Sequence, residues 1–355
     1  MTMDPQTTPE PDAKQLIQQL LDQAGATANR DVLRDVLRTA VALAGDDVDR
    51  LDLKITAAAL KEMRAAFNMF RPLEATPKVT VFGSARIAAH DPLYEQARKL
   101  AAHLSAEGWM VITGAGPGIM QAAAEGAGAD AAIGISIRLP FEETPSDIVA
   151  GGDRVVAMKY FFTRKLMLMK ESSAFVCLPG GFGTQDETFE LLTLLQTGKA
   201  SPAPVVLLDV PGGTYWSRWV EYVNDELVAA GLVSPQDHEL YLITTDVDEG
   251  VAEVQTFWRN YHSIRWAGDQ LIVRLRHAPT DAEVHELDER FADLLLGGQV
   301  RRTDPLPPEV SDRDHLELPR IAMRYNPRLA GRLRALIDAL NQLPSAPANA
   351  SPTTR

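Results

Sequence analysis

The sequence predicts an α/β fold with a doubly wound parallel sheet, and three observations point to it. From Lys78 onward, short apolar runs alternate with helix-length amphipathic segments, the pattern of βαβ units. Glycine-rich segments follow several of those runs directly, where an open α/β sheet binds its ligands. At 355 residues, 45% hydrophobic and 23% charged, the chain has the composition of an ordinary globular protein, long enough for one full α/β domain and smaller appendages.

The strands expected are Val79–Phe82, Met110–Thr113, Ala132–Ile137, Arg154–Ala157, Ala174–Leu178, Pro204–Leu208 and Leu240–Thr244. Helices are expected between them, at about 93–107, 117–129, 158–172, 184–197, 214–230 and 247–261. This is a Rossmann-like core spanning residues 73–262. Before it, Leu16, Leu20, Val32, Leu33, Val36, Leu37, Leu51, Leu60, Met63 and Phe67 fall at helical spacing, so residues 1–72 read as a helical extension. Gly25 and Gly45-Asp46-Asp47 divide it into three helices. After Tyr261 the alternation breaks. Residues 263–343 read as a small α+β appendage of ferredoxin-like type, with strands at 270–275, 300–303 and 320–324 and helices at 281–295 and 329–340. Pro344 to Arg355, rich in Pro, Ala, Ser and Thr, is expected to be a disordered tail.

Charge and composition exclude several function classes. A net charge of -13 opposes binding to a phosphate backbone, so no nucleic-acid partner is expected. No apolar run reaches the ~18 residues of a membrane span, and Met1–Pro11 lacks a basic stretch followed by an apolar one. A cytoplasmic protein with no membrane partner is therefore expected. The single cysteine, Cys177, lies inside a strand-like apolar run and reads as an inert core thiol. The seven histidines show neither H-x-x-x-H nor H-E-x-x-H spacing, so no catalytic metal is expected.

Three strand ends carry candidate chemistry. Gly83-Ser84-Ala85-Arg86 allows a sharp turn with Ser84 and nearby amides free to meet an anion, although a plain turn reads equally well. Gly114-Ala115-Gly116-Pro117-Gly118 opens a helix whose N-terminus favours phosphate. Its G-x-G-x-G spacing, and an Arg138-Leu139-Pro140 strand end in place of an acidic ribose ligand, argue against a dinucleotide fingerprint. In Pro179-Gly180-Gly181-Phe182-Gly183-Thr184-Gln185-Asp186-Glu187, the glycines remove Cβ atoms that would hold a phosphate away from backbone amides. A capping box from Thr184 to Glu187 is the structural alternative. Capping alone does not call for Pro-Gly-Gly-Phe-Gly, so the binding reading is preferred. The helix around Arg164 and Lys165 would, by itself, be a solvated basic edge.

Taken together, Gly83-Ser84-Ala85, Gly114 to Met120, Arg164-Lys165 and the complete P-G-G-x-G-T-x-x-E run at 179–187 resemble the LONELY GUY family of cytokinin-nucleotide phosphoribohydrolases, long labelled lysine decarboxylases. Phe161 stands at the methionine position of the family's M-x-x-R-K element. The resemblance covers about residues 78–262. It implies hydrolysis of the N-glycosidic bond of a nucleoside 5'-monophosphate to free base and ribose 5-phosphate, with Arg164 and Glu187 as the catalytic pair. It further implies substrate binding by Gly83, Ser84, Gly114, Gly116, Gly118, Met120, Lys165, Pro179, Gly180, Gly181, Gly183 and Thr184. A homodimer or larger homo-oligomer, and no cofactor, are also implied. Nothing around Lys165, Lys170 or Lys199 points to a pyridoxal phosphate Schiff base. The rival reading is a nucleotide-binding sensor or cofactor carrier using the same cradle without turnover.

Overall fold

The structure, a computed structural model, describes residues 12–138 and 153–348. Leu139, Pro140 and the end of the tail, 349–355, lie outside the described residues. The chain divides into two compact units at Lys61/Glu62.

The first unit contains α1 (Ala13–Gln23), α2 (Arg30–Ala42) and the beginning of α3 (Arg50–Phe70). The predicted breaks fall where the sequence puts them: Gly25, with φ +66°, follows the end of α1, and residues 43–47 form the turn between α2 and α3, with Asp47 at φ +51°. Arg30 ties the α1–α2 turn by donating to the Ala26 carbonyl at 2.6 Å and pairing with Asp22. The apolar stripe that identifies these helices is only partly buried: Ile17 and Leu21 are covered, while Leu16, Leu20, Val32, Leu33 and Val36 are exposed.

In the second unit the rest of α3 packs Ala66 and Phe70 into the core. The alternating elements follow: β1 (Lys78–Phe82), α4 (Pro92–Ala106), β2 (Met110–Thr113), α5 (Ile119–Ala127), β3 (Ala132–Ile137), β4 (Val155–Met158), α6 (Phe161–Lys170), β5 (Ala174–Cys177), α7 (Phe182–Gln196), β6 (Val205–Leu208), α8 (Tyr215–Tyr222), β7 (Leu242–Thr244) and α9 (Val247–Phe257). Seven strands pair in the order β4-β3-β2-β1-β5-β6-β7. Every pairing among them is parallel. All seven strands expected from the sequence are present within a residue or two. Successive residues serve opposite faces: Val79, Val81, Val111, Val176 and Val206 enter one core layer, Phe82, Ile112, Phe175, Cys177 and Leu207 the other. Burial on both faces is why these strands read as unbroken apolar runs. The order reverses direction between β1 and β5, the position where such sheets open a crevice at their carboxyl ends.

The segment after α9 departs from the sequence reading. The helix expected to run to 261 stops at Phe257, and Tyr261–Ala267 is a strand, β8. It pairs with β9 (Gln270–Leu275) across a turn in which Gly268 has φ +64°. Then come α10 (Asp281–Arg290), β10 (Arg301–Arg302), α11 (Pro307–Asp312), β11 (Arg320–Met323) and α12 (Ala330–Gln342). The four strands form an antiparallel sheet in the order β10-β11-β9-β8. A hairpin joins β8 to β9 where a ferredoxin-like fold needs a helical crossover, so the ferredoxin-like expectation is corrected to an antiparallel hairpin sheet. Its inner face, with Leu271, Val273, Ile321 and Met323, belongs to the same apolar cluster as Val79 and Leu100 of the parallel sheet.

Asn341 fastens this junction, accepting from the backbone N–H groups of Asn260 and Tyr261, both at 2.8 Å, and donating to the Phe257 carbonyl at 2.6 Å. The disorder expected from Pro344 does not begin there. The Ser345 N–H donates to Glu283 at 3.0 Å, Arg259 donates to the Pro347 carbonyl, and Ala346 is buried. Among the described residues no helix is long and apolar enough to cross a membrane.

Gly126 shows how tightly α4 and α5 meet: a Cβ there would overlap the Arg98 carbonyl, backbone that cannot swing aside. Gly126→Ala therefore forces the helices apart despite its better helix propensity. The expected cost is about 1–3 kcal/mol, measured as a fall in the denaturation midpoint at unchanged m-value; a stabilised protein would contradict this packing.

Candidate active site

The carboxyl ends of β1 to β5 frame an open cleft of about 1390 Å3. Hydrogen bonds knit its floor together. The Ser84 N–H donates to the Pro179 carbonyl at 3.3 Å, joining the turns after β1 and β5, and the Ile119 N–H donates to the Ser84 carbonyl at 3.1 Å, joining α5 to both. Gly118 (φ +68°) must be glycine here, because a Cβ would strike the Ser84 carbonyl. A Cβ on Gly83 would lie 2.5 Å from Ile119 Cγ2. These two glycines serve close packing, whereas Gly181 and Gly183 have open space on the Cβ side. Gly181 and Gly183 line the cleft at the start of α7, where first-turn N–H groups and the helix dipole favour an anion.

Helix α7 begins earlier than the sequence suggests. It starts at Phe182 with Gly181 as N-cap and has no side-chain cap. Thr184 and Glu187 therefore sit inside the helix, and the capping-box alternative fails. Glu187 turns instead toward Arg164 of α6, whose Nη1 donates to Glu187 Oε1 at 3.3 Å.

Both members of this pair are nearly removed from water, with side chains 9% and 12% exposed. Burial is the largest influence on each. It pushes the Glu187 carboxyl up to about 7 against the opposing pull of Arg164. It also lowers Arg164, against the opposing effect of Glu187, although a guanidinium stays charged in any event. Arg164 is held from its other side by Nε donating to the Ile135 carbonyl at 2.9 Å. Gly114 leaves room for it, since a Cβ there would overlap Arg164 Nη2.

Of the residues singled out in the sequence, Gly83, Ser84, Gly114, Gly116, Met120, Arg164, Gly180, Gly181, Gly183, Thr184 and Glu187 line the cleft together. Lys165, Gly118 and Pro179 are not among its lining residues. Lys165 is engaged by Asp186 at 3.1 Å and Glu190 at 2.5 Å, and Pro179 contributes the carbonyl that holds Ser84.

Arg86, Arg138, Phe161, Phe182 and Gln185, which lie in the segments picked out by sequence but were not named there as binding residues, also line the cleft, and Ser136 and Ala157 do so with no motif signal at all. Two supporting residues are equally silent in sequence. Buried Glu62 accepts from the Lys159 N–H at 2.7 Å and the Thr163 hydroxyl at 2.6 Å, anchoring the start of α6. The Tyr215 hydroxyl donates to the Gly180 carbonyl at 2.6 Å, fixing the glycine turn.

Residues 118–254 match the family model described as "Possible lysine decarboxylase". Curated relatives include two cytokinin riboside 5'-monophosphate phosphoribohydrolases of Arabidopsis thaliana. One is 34% identical over 26% of this chain and 42% of its own length, the other 32% identical over 29% and 46%. These matches make the α/β core similar to the LONELY GUY family that the sequence motifs resemble. The matched region spans less than half the length of those relatives. A molybdenum cofactor binding protein from Rippkaea orientalis also aligns over 49% of this chain and 91% of its own, at 21% identity and a TM-score of 0.35.

The raised Glu187 carboxyl has a stability consequence whose sign is definite. Between about 4.5 and about 7 the folded chain holds a proton on Glu187 that the unfolded chain has released. Stability therefore falls as pH rises through this window. Glu187→Gln removes that dependence: its unfolding free energy, relative to wild type, should rise by up to about 3 kcal/mol from pH ~4.5 to pH ~7. Parallel pH profiles of the two proteins in denaturant titrations would refute the buried-carboxyl account.

Proposed function

We propose that this chain hydrolyses the N-glycosidic bond of a nucleoside 5'-monophosphate, releasing the free base and ribose 5-phosphate. The observation that carries the reading is the buried Arg164–Glu187 pair opening onto a glycine-lined cleft at the sheet's switch point. Curated relatives named as phosphoribohydrolases support it.

In this reading the 5'-phosphate sits on the amides of Gly181 and Gly183 at the N-terminus of α7, which brings the ribose toward Glu187 only a turn further along the helix. As the C1'–N bond lengthens, positive charge grows on the ribosyl ring, and the Glu187 carboxylate stabilises it. A water oxygen bonds to C1' while its proton passes to Glu187. The electrons of the breaking bond go to the base nitrogen, which takes up a proton as the base leaves. A carboxyl that titrates near 7 can both accept and return a proton at neutral pH. Arg164 cannot act as a base; it orients Glu187 and offsets negative charge on the phosphate or the departing base.

The test is to incubate wild type and Glu187→Gln with purine, pyrimidine and N6-prenylated adenosine monophosphates, following free base and ribose 5-phosphate. The variant should lose about 10^3-fold or more in kcat while its nucleotide Kd changes no more than a few-fold. Nucleotide binding by wild type without release of any base would replace this reading with that of a sensor or carrier.

The site's surroundings support a homodimer. Helix α6 turns Phe162 and Leu166 outward, 54% and 46% exposed, on the element that carries Arg164. Light scattering should give twice the chain mass for wild type and a single chain for the double substitution Phe162→Glu and Leu166→Glu; a wild-type monomer would end the proposal.

A further inference from the structure

The cleft has two unlike halves. One is largely backbone, where the turns after β1 and β5 bring Gly83, Gly181 and Gly183 to its lining. The other is made of side chains: Ser136 and Arg138 at the end of β3, Ala157 of β4, Phe161 at the start of α6 and Met120 of α5. The strand order β4-β3-β2-β1-β5 separates the two halves. From β5 to β3 there are three strand spacings, roughly 14 Å, a span suited to a ligand with a phosphate at one end and a ring system at the other. The reacting pair bridges them. Glu187 comes from α7 on the glycine side, and Arg164 is held on the other side by the Ile135 carbonyl, one residue before Ser136.

Three side chains in the second half are poised for a ligand. Phe161, the first residue of α6, leaves 53% of its surface exposed in a lined cleft. It stands three residues before Arg164, so the two share one face of the helix. Arg138 leans over the end of β4, its Nη2 donating to the Ala157 carbonyl at 3.3 Å, and no described carboxylate pairs with it. Ser136 is only 8% exposed, lines the cleft, and has a hydroxyl with no hydrogen-bond partner among the described residues. Glu187 is the one carboxylate among the cleft's described lining residues. The second half therefore offers an aromatic face and an excess of donors.

We propose that this half is the base pocket and that it selects a 6-oxopurine, the base of inosine or guanosine 5'-monophosphate, with Phe161 stacking on the ring and Arg138 donating to O6 and N7. The proposal rests on the hydrolase reading above, in which the 5'-phosphate occupies the glycine half. The base is bonded directly to the reacting C1', so it falls across the Arg164–Glu187 pair, against Phe161 and β3. An arginine has donors only, and they match the two adjacent acceptors of a 6-oxopurine. Adenine presents an N–H donor at N6 instead, which meets the guanidinium with like polarity. The Ser136 hydroxyl, able to donate or accept, serves a ring nitrogen.

The experiment is calorimetric titration of the full chain, in the Glu187→Gln background, with IMP, GMP, AMP and ribose 5-phosphate, beside wild-type turnover of the same nucleotides. IMP and GMP should bind at least about ten-fold more tightly than AMP. Phe161→Ala should weaken IMP and GMP about ten-fold and leave ribose 5-phosphate within about two-fold. Arg138→Gln, whose amide both donates and accepts as adenine requires, should cancel or reverse the base preference. Equal affinity for AMP and IMP overturns the pocket, as does a loss of ribose 5-phosphate affinity on Phe161→Ala that matches the loss for IMP, or no nucleotide binding at all. A wild type that binds IMP and GMP with this preference but releases no base overturns the hydrolysis instead and leaves the base pocket standing.

Discussion

Arg164 and Glu187 come from different helices, and each carries a charge into a place with little water. Taking two such groups out of solvent costs several kcal/mol per ion, and their attraction seldom repays it in full. The pair is therefore weak as a source of stability, and the surrounding structure is built to hold it. The Ile135 carbonyl satisfies Arg164 Nε, Gly114 clears the space its guanidinium occupies, and Glu62 fixes the first turn of the helix that carries it. On the other side, the early start of α7 at Phe182 releases Glu187 from any capping duty and leaves it facing the arginine. The turns after β1, β2 and β5 all converge on this pair, and their mutual hydrogen bonds keep the floor of the cleft in one arrangement.

Much of the parallel core was legible in the sequence because its strands are buried on both faces and so read as apolar runs bounded by glycine. The candidate site was legible for a related reason. Close backbone approach demands glycine whatever the purpose, and Gly83, Gly118 and Gly180 stand out although their missing Cβ atoms make room for protein, not for ligand. Sequence could not distinguish these packing glycines from Gly181 and Gly183, which face open space. Nor could it reveal Tyr215 or Glu62, since each acts through one hydroxyl or carboxylate whose partners are remote along the chain. The boundary of α7 was misjudged because Thr184 and Glu187 have the spacing of a capping box, and only the fold shows that the backbone is already helical at Phe182.

The segment after α9 was harder to read for a different physical reason. Strand β8 carries Ser263, Arg265 and Trp266 on its less buried positions, so it lacks the apolar density of the core strands. Strands β9 and β11 place Arg274 and Arg320 directly opposite each other, which in an exposed sheet would repel. Here Glu309 of α11 lies between them, accepting from Arg274 at 2.8 Å and from Arg320 at 2.6 Å, with its own side chain fully buried. A six-residue helix thus neutralises two arginines that a linear reading would assign to the surface.

That ion cluster covers the outer face of the second sheet, and its inner face is joined to the parallel core. Leu271, Val273 and Ile321 share one apolar cluster with Val79 and Val176, and Asn341 pins α12 to the end of α9. Removing the segment would expose the core side of α9, so it cannot be an appendage in the energetic sense, whatever its position in sequence. Helix α9 is flanked by the parallel sheet and by α12, and α12 also packs against α7, the helix that carries Glu187. A change in the packing on the far side of the parallel sheet is thus felt by the elements that frame the cleft through continuous apolar contact, the way a close-packed interior transmits strain.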